Sequence, residues 1–186
     1  MSSFISLPLR DRTVFFRLGQ GHHTHYVLQR IPDFTHTITA VALGQDHTLA
    51  LTASGEVLSW GSNRCSQLGY VIEPSPGSTN GLERLEEPVQ SSPRKIYGHL
   101  RKEIVRGVAA SKMSSACWTS QDVFTWGTNN GQLGIYSDLT VMIAERPQGH
   151  NVQAHPVQTA PRKVSRLPVQ VVSIAMSVRG IQLVEG

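Results

Sequence analysis

The sequence predicts an all-β protein, a partial β-propeller of antiparallel four-stranded blades, with about two complete blades and fractions at both ends. Three observations predict it. Val57 to Gly69 reads VLSWGSNRCSQLG, and Val123 to Gly134 says it again as VFTWGTNNGQLG. The copies hold register over a whole period. Trp60 to Trp126 is 66 positions and Gly69 to Gly134 is 65; VALGQDHTLALT (41–52) aligns with VAASKMSSACWT (108–119) at 67, and PVQSSPRKI (88–96) recurs as PVQTAPRKV (156–164) at 68. Within the unit, short runs of Leu, Val, Thr and aromatic residues are separated by turn residues, with no 3.6-residue apolar pattern. A period of this size means stacked supersecondary units.

The opening, MSSFISLPLRDRTVFF, has neither the uninterrupted apolar run of a secretory leader nor the roughly 20 apolar residues of a membrane span. FRLGQG (16–21) resembles SQLG (66–69), so residues 16–40 are read as the tail of a preceding blade. His22, His23 and His25 follow. A metal site needs converging ligands, whereas neighbours on an extended chain point to opposite faces, so a surface loop is the better reading.

The first full blade is assigned to 41–107. HTLALT (47–52) and EVLSW (56–60) flank Ala-Ser-Gly, which is hairpin chemistry. Alternation puts His47, Leu49 and Leu51 on one face and Thr48, Ala50 and Thr52 on the other. Neither is strongly polar, so such a strand expects cover on both sides. Val41–Ala42, His47–Thr52 and Val57–Trp60 should form one sheet. Its counterpart in the second blade, 108–173, should be Val108–Ala109, Ser115–Thr119 and Val123–Trp126, with Trp60 and Trp126 in like environments. Segments 71–93, with Glu83, Glu86 and Glu87, and 136–158, with Arg146, His150 and His155, read as long loops at the same repeat position, emerging on one side. Residues 174–186 read as the start of a further blade. The whole of 1–186 is then a single incomplete propeller segment, a piece of a larger protein.

The charge of +4 is modest, and Lys and Arg are diluted by Glu86, Glu87 and Glu103, which points away from nucleic acid. Two distant cysteines, Cys65 and Cys117, make neither a disulfide framework nor a zinc pattern, which favours a reducing, intracellular setting, cytoplasmic or nuclear. Cys117 stands where Ala50 stands in the first copy and reads as a small core hydrophobe. The repeated glycines serve turns, because no Gly-x-x-x-x-Gly-Lys-Ser/Thr accompanies them.

VALGQDHTLALTASGEVLSWGSNRCSQLG resembles the repeat of the regulator of chromosome condensation family, whose members form seven-bladed propellers. Gly44, His47, Thr48, Gly55, Trp60, Gly61, Asn63, Gln67, Leu68 and Gly69 match its motif. Trp126, Gly127, Asn129, Gly131, Gln132, Leu133 and Gly134 match in the second copy, where Ser111 and Ser114 replace the glycine and histidine. The wording around the repeats is similar to the propeller segment of fungal proteins related to the inhibitor of Bruton tyrosine kinase, which join ankyrin repeats, this propeller and BTB domains. The resemblance implies structural motif residues and no catalytic, cofactor-binding or metal residue.

The leading functional reading is a non-catalytic protein–protein interaction scaffold. Its partner is an unidentified protein, with the remaining blades of a parent implied and no membrane. The alternative the resemblance implies is guanine-nucleotide exchange on a small GTPase. A second alternative is a metal-binding or hydrolytic protein using the histidines. Against it, Ser111, Ser114 and Ser115 are read as lying near no histidine or carboxylate in a recognisable order.

Overall fold

Thr and β-branched residues interrupted by a tight turn at Ala53–Gly55 can satisfy their backbone groups only by pairing back on themselves, and this they do twice. The structure is a computed structural model that describes residues 35–73, 88–134, 156–165 and 170–185. Strands β1 (Ile38–Leu43), β2 (His47–Thr52), β3 (Val57–Ser62) and β4 (Val89–Lys95) form one antiparallel four-stranded sheet in chain order. β5 (Gly107–Ala110), β6 (Ser114–Trp118), β7 (Val123–Thr128) and β8 (Val157–Lys163) form a second, and β9 (Val171–Met176) and β10 (Ile181–Glu185) a two-stranded third. The architecture is a partial propeller. β1, β5 and β9 lie side by side, so successive sheets stack face against face.

Two apolar layers do the stacking. Leu49, Leu51 and Val57 of the first sheet meet Val108, Cys117, Phe124 and Trp126 of the second. Ala116, Trp118 and Val123 on the opposite face meet Val171, Ile174 and Met176. The first sheet's far face carries Ala50, Leu58 and Trp60, with Ile38 against them. Every residue of β2 is buried, as a strand with two apolar faces requires.

Where the copies differ, the differences compensate. A Cβ on Gly107 would lie 2.0 Å from the Trp118 ring, its cross-strand partner. The equivalent pair in the first sheet is Ala40 with Leu51, where a smaller side chain leaves room for the methyl group. Gly44 and His47 show the same trade: a Cβ on Gly44 would meet the His47 ring at 2.1 Å. The second copy replaces both at once, with Ser111 and Ser114.

Both expected loops are shorter than their sequences suggested. Val89–Pro93 and Val157–Gln158 belong to strands: Gln90 pairs with Gly61, Arg94 with Ser59 and Gln158 with Gly127. Serine and proline disguised these strands. β4 and β8 are the last strands of their sheets, and an edge position tolerates Pro93 and Pro161, which lack a donor. A short 3-10 turn, Gly98–Leu100, connects the two sheets and plugs Leu100 into their interface. Phe16–Gly21, the three N-terminal histidines, and 74–87 and 136–155 of the two loops lie outside the described residues.

Candidate functional site

The motif residues spread over successive layers: Trp60 lies on the first sheet's far face, Trp126 in the joint between the first two sheets, and Leu133 against the third. Trp60 and Trp126 are both buried, and each precedes a glycine in the left-handed region, Gly61 at φ +108° and Gly127 at φ +98°. The ladder slips register at each tryptophan, and the glycine slides under the neighbouring turn. A Cβ there would come within 2.4 Å of the Asp46 carbonyl oxygen, or 2.5 Å of that of Met113. Trp-Gly repeats because an indole must turn inward where the backbone passes this close.

The Asn-to-Gly stretch forms a knot beyond each tryptophan. Asn63 Oδ1 accepts from Leu68 N at 3.0 Å, and its Nδ2 donates to the Tyr70 carbonyl at 2.7 Å. Asn129 Oδ1 accepts from Gly131 N at 3.1 Å. Leu68 and Leu133 are fully buried. The second knot is one residue shorter, and its left-handed position is Gly131 at φ +97°, where the first uses Ser66 at φ +59°. Gly69 (φ +82°) closes one turn against the Trp126 indole, and Gly134 (φ +67°) closes the other beside Val164. Gly55 (φ +80°) turns the first hairpin under Ile104, whereas the shorter second hairpin manages without a glycine there. Both hairpins are closed by the same bond, Thr52 N to the Glu56 carbonyl and Thr119 N to that of Asp122.

The conspicuous geometry is a clasp across the two sheets. Gln67 O, at the start of the Leu-Gly turn, accepts from Ser115 Oγ at 2.8 Å and from Trp126 Nε1 at 2.9 Å. His47 Nε2 lies 2.9 Å from Ser115 Oγ. Ser115 has one hydroxyl proton and gives it to Gln67 O, so the proton of the His47 bond must come from Nε2. Burial lowers the His47 pKa to about 4 and keeps the ring neutral. The pairing of Ser115 with His47 corrects the expectation that no histidine adjoins these serines; strand numbering alone does not show which neighbours in adjacent sheets touch. It is not a catalytic dyad. A general base must offer serine an unprotonated nitrogen, and this nitrogen is already a donor. The residue that sequence reasoning left out is Gln67 as an acceptor, because its contribution is a backbone oxygen.

The two tryptophans share burial but not bonding: among the described residues Trp60 Nε1 has no hydrogen-bond partner. Cys117 is buried, and burial pushes its thiol pKa up, which leaves it a protonated core residue. Among the described residues no three His, Cys, Asp or Glu side chains gather as a metal site, and no helix is long and apolar enough to cross a membrane.

Outside the joint, both insertions spring from the same base. Asn63 N donates to the Pro88 carbonyl at 2.7 Å and Asn129 N to that of Pro156 at 2.8 Å, tying the return of each loop to its knot. The Pro-Arg-Lys segments brace both hairpins: Lys95 pairs with Glu56, and Lys163 Nζ lies 2.7 Å from Asp122 Oδ1. The Lys95 bond holds the Glu56 carboxyl below its ordinary value. Arg94 stacks over the Tyr70 ring at 4.4 Å, and burial pushes the Tyr70 hydroxyl up to about 12. These basic residues serve edges of the sheets.

Residues 38–67 match the model of the regulator of chromosome condensation (RCC1) repeat. The chain is 34% identical over 130 residues to BTB/POZ domain-containing protein 1 of Schizosaccharomyces pombe, covering 70% of this chain and 9% of that protein. It is 34% identical over 154 residues to the human Inhibitor of Bruton tyrosine kinase, covering 81% and 10%. It is also 31% identical over 119 residues to the Guanine nucleotide exchange factor SRM1 of Saccharomyces cerevisiae, covering 54% and 25%. Among solved structures, human WBSCR16 superposes with a TM-score of 0.63 at 23% identity, over 87% of this chain and 34% of that one, a likeness of fold. The chain thus spans about a tenth of the length of the first two relatives.

Proposed function

This chain carries the regulator of chromosome condensation repeat, and from that premise we propose that it is a non-catalytic interaction scaffold, a propeller segment whose inserted loops grip a protein partner. One observation carries the reading: two long insertions leave and re-enter through the same hydrogen-bonded base in successive sheets, at Asn63 with Pro88 and Asn129 with Pro156. The motif side chains are buried in the sheets or engaged in the knots, which leaves the loops to meet a partner. A rigid base beneath variable loops is how propellers separate stability from recognition. On this reading 1–186 is one propeller segment, with 16–40 ending one blade, 41–107 and 108–173 forming two, and 174–186 opening another. Segment 71–88 is acidic and segment 136–156 supplies Arg146, His150 and His155, a mixed-charge rim that selects its partner electrostatically.

Similarity to an exchange factor supports a second reading, in which the partner is a small GTPase and binding releases its nucleotide. The test replaces 74–87 and 136–154 with short Gly-Ser linkers, singly and together. Partner capture is compared with that of the unaltered chain, and release of a fluorescent guanine nucleotide from a small GTPase is followed. Capture lost while the far-ultraviolet spectrum is kept supports the rim. Unchanged capture by the double replacement rejects it, and accelerated release favours the exchange reading.

A further inference from the structure

Among the described residues, Thr48 Oγ1 and Trp60 Nε1 are buried donors with no acceptor. They are cross-strand partners of each other, as Ser115 and Trp126 are in the second sheet. Ser115 and Trp126 spend both donors on one oxygen, Gln67 O, contributed by the turn of the sheet before. Thr48 and Trp60 lie toward the first sheet's far face, where Ala50, Leu58 and Ile38 pack, so they offer the same pair of donors to whatever precedes that sheet. A buried hydroxyl and indole N–H left unmade together are costly, and folded chains rarely keep them. Nor does the strand position demand a hydroxyl. The turn closed by Gly44 N to the His47 carbonyl and by Ser111 N to that of Ser114 is closed in the third sheet by Ser177 N to that of Gly180. That register puts Ile181, which has no side-chain donor, at the place of Thr48 and Ser115.

We propose that Thr48 and Trp60 form a two-donor docking position for a single main-chain carbonyl, that of Arg17 in the stretch Phe16–Gly19 of this same chain. Leu18 and Gly19 repeat Leu68 and Gly69, which makes Arg17 the counterpart of Gln67. Because the acceptor is a backbone oxygen with two lone pairs, the change of side chain is immaterial. The spacing agrees. Gln67 to Ser115 is 48 positions and Arg17 to Thr48 is 31, a difference of 17 that nearly matches the 18 residues 71–88 between Tyr70 and β4. Gln29-Arg30-Ile31 also echoes Arg94-Lys95-Ile96. Ile31 stands 17 positions before Thr48, and Ile96 stands 19 before Ser115.

The test is hydrogen exchange of the indole N–H groups by NMR, assigned with Trp60→Phe, Trp118→Phe and Trp126→Phe. It compares the 186-residue chain, its Leu18→Asp variant and a chain lacking residues 1–21. The expected result is at least a tenfold loss of protection at Trp60 in both altered chains, with Trp126 unchanged. Protection at Trp60 that survives in both overturns the proposal, as does equal loss at Trp60 and Trp126, because the docking confines the effect to the first sheet. Trp60 protection that rises with chain concentration makes a second copy the occupant and also overturns it.

Discussion

The neutrality of His47 is a burden the fold carries in exchange for the clasp. Its Nδ1 is buried without a partner among the described residues, so a protonated ring would place an unpaired N–H and a charge in the interior. As pH falls below the ordinary value of 6.5 the unfolded chain takes up a proton that the folded chain refuses until about pH 4. Stability from this group is therefore complete above pH 6.5 and declines through that window, by about 3 kcal/mol in total. We expect the His47 ring resonances to stay fixed between pH 7 and 5 while exposed histidines titrate. A His47 ring that titrates near 6.5 would contradict the buried, neutral clasp.

At the level of strands, each sheet solves the same volume problem with different residues. Gly107 beneath Trp118 and Ala40 beside Leu51 fill equivalent space, and so the two cannot be mixed freely. Gly107→Ala alone should cost about 1–3 kcal/mol by overpacking, since a Cβ would meet the indole at 2.0 Å. Trp118→Leu in the same chain should recover most of that loss by restoring the first sheet's arrangement, although it also thins the layer against Val171 and Ile174. Urea midpoints followed by circular dichroism check the cycle, and additive losses would refute the coupling. The braces between Lys95 and Glu56 and between Lys163 and Asp122 are partly exposed and matter far less.

For the whole molecule, the arc leaves apolar surface that a closed ring would cover. Val41 and Leu43 on β1, and Val172 and Val184 on the third sheet, are exposed large side chains. Among the described residues β10 pairs only with β9, which leaves an open strand edge. Unpaired edges and apolar faces recruit other chains. The 186-residue chain should accordingly self-associate at micromolar concentration and melt with poor cooperativity. Sedimentation velocity showing a monomer, together with one sharp reversible transition, would contradict this.

The architecture was legible in the chain because a propeller sheet repeats its demands: a strand with two apolar faces, an indole turned inward beside a left-handed glycine, and a Leu-Gly turn. Two copies of VLSWGSN and VFTWGTN in register were enough to place β2, β3, β6 and β7 nearly to the residue. Composition misled at Val89–Pro93 and Val157–Gln158, since strand pairing is decided by the partner's backbone and not by serine or proline content. Only the tertiary structure decided the clasp. His47 and Ser115 are 68 positions apart, and Gln67 enters through its carbonyl, which every residue possesses. Side-chain spacing can announce a repeat, but which backbone oxygen meets which donor depends on how one sheet is rotated against the next.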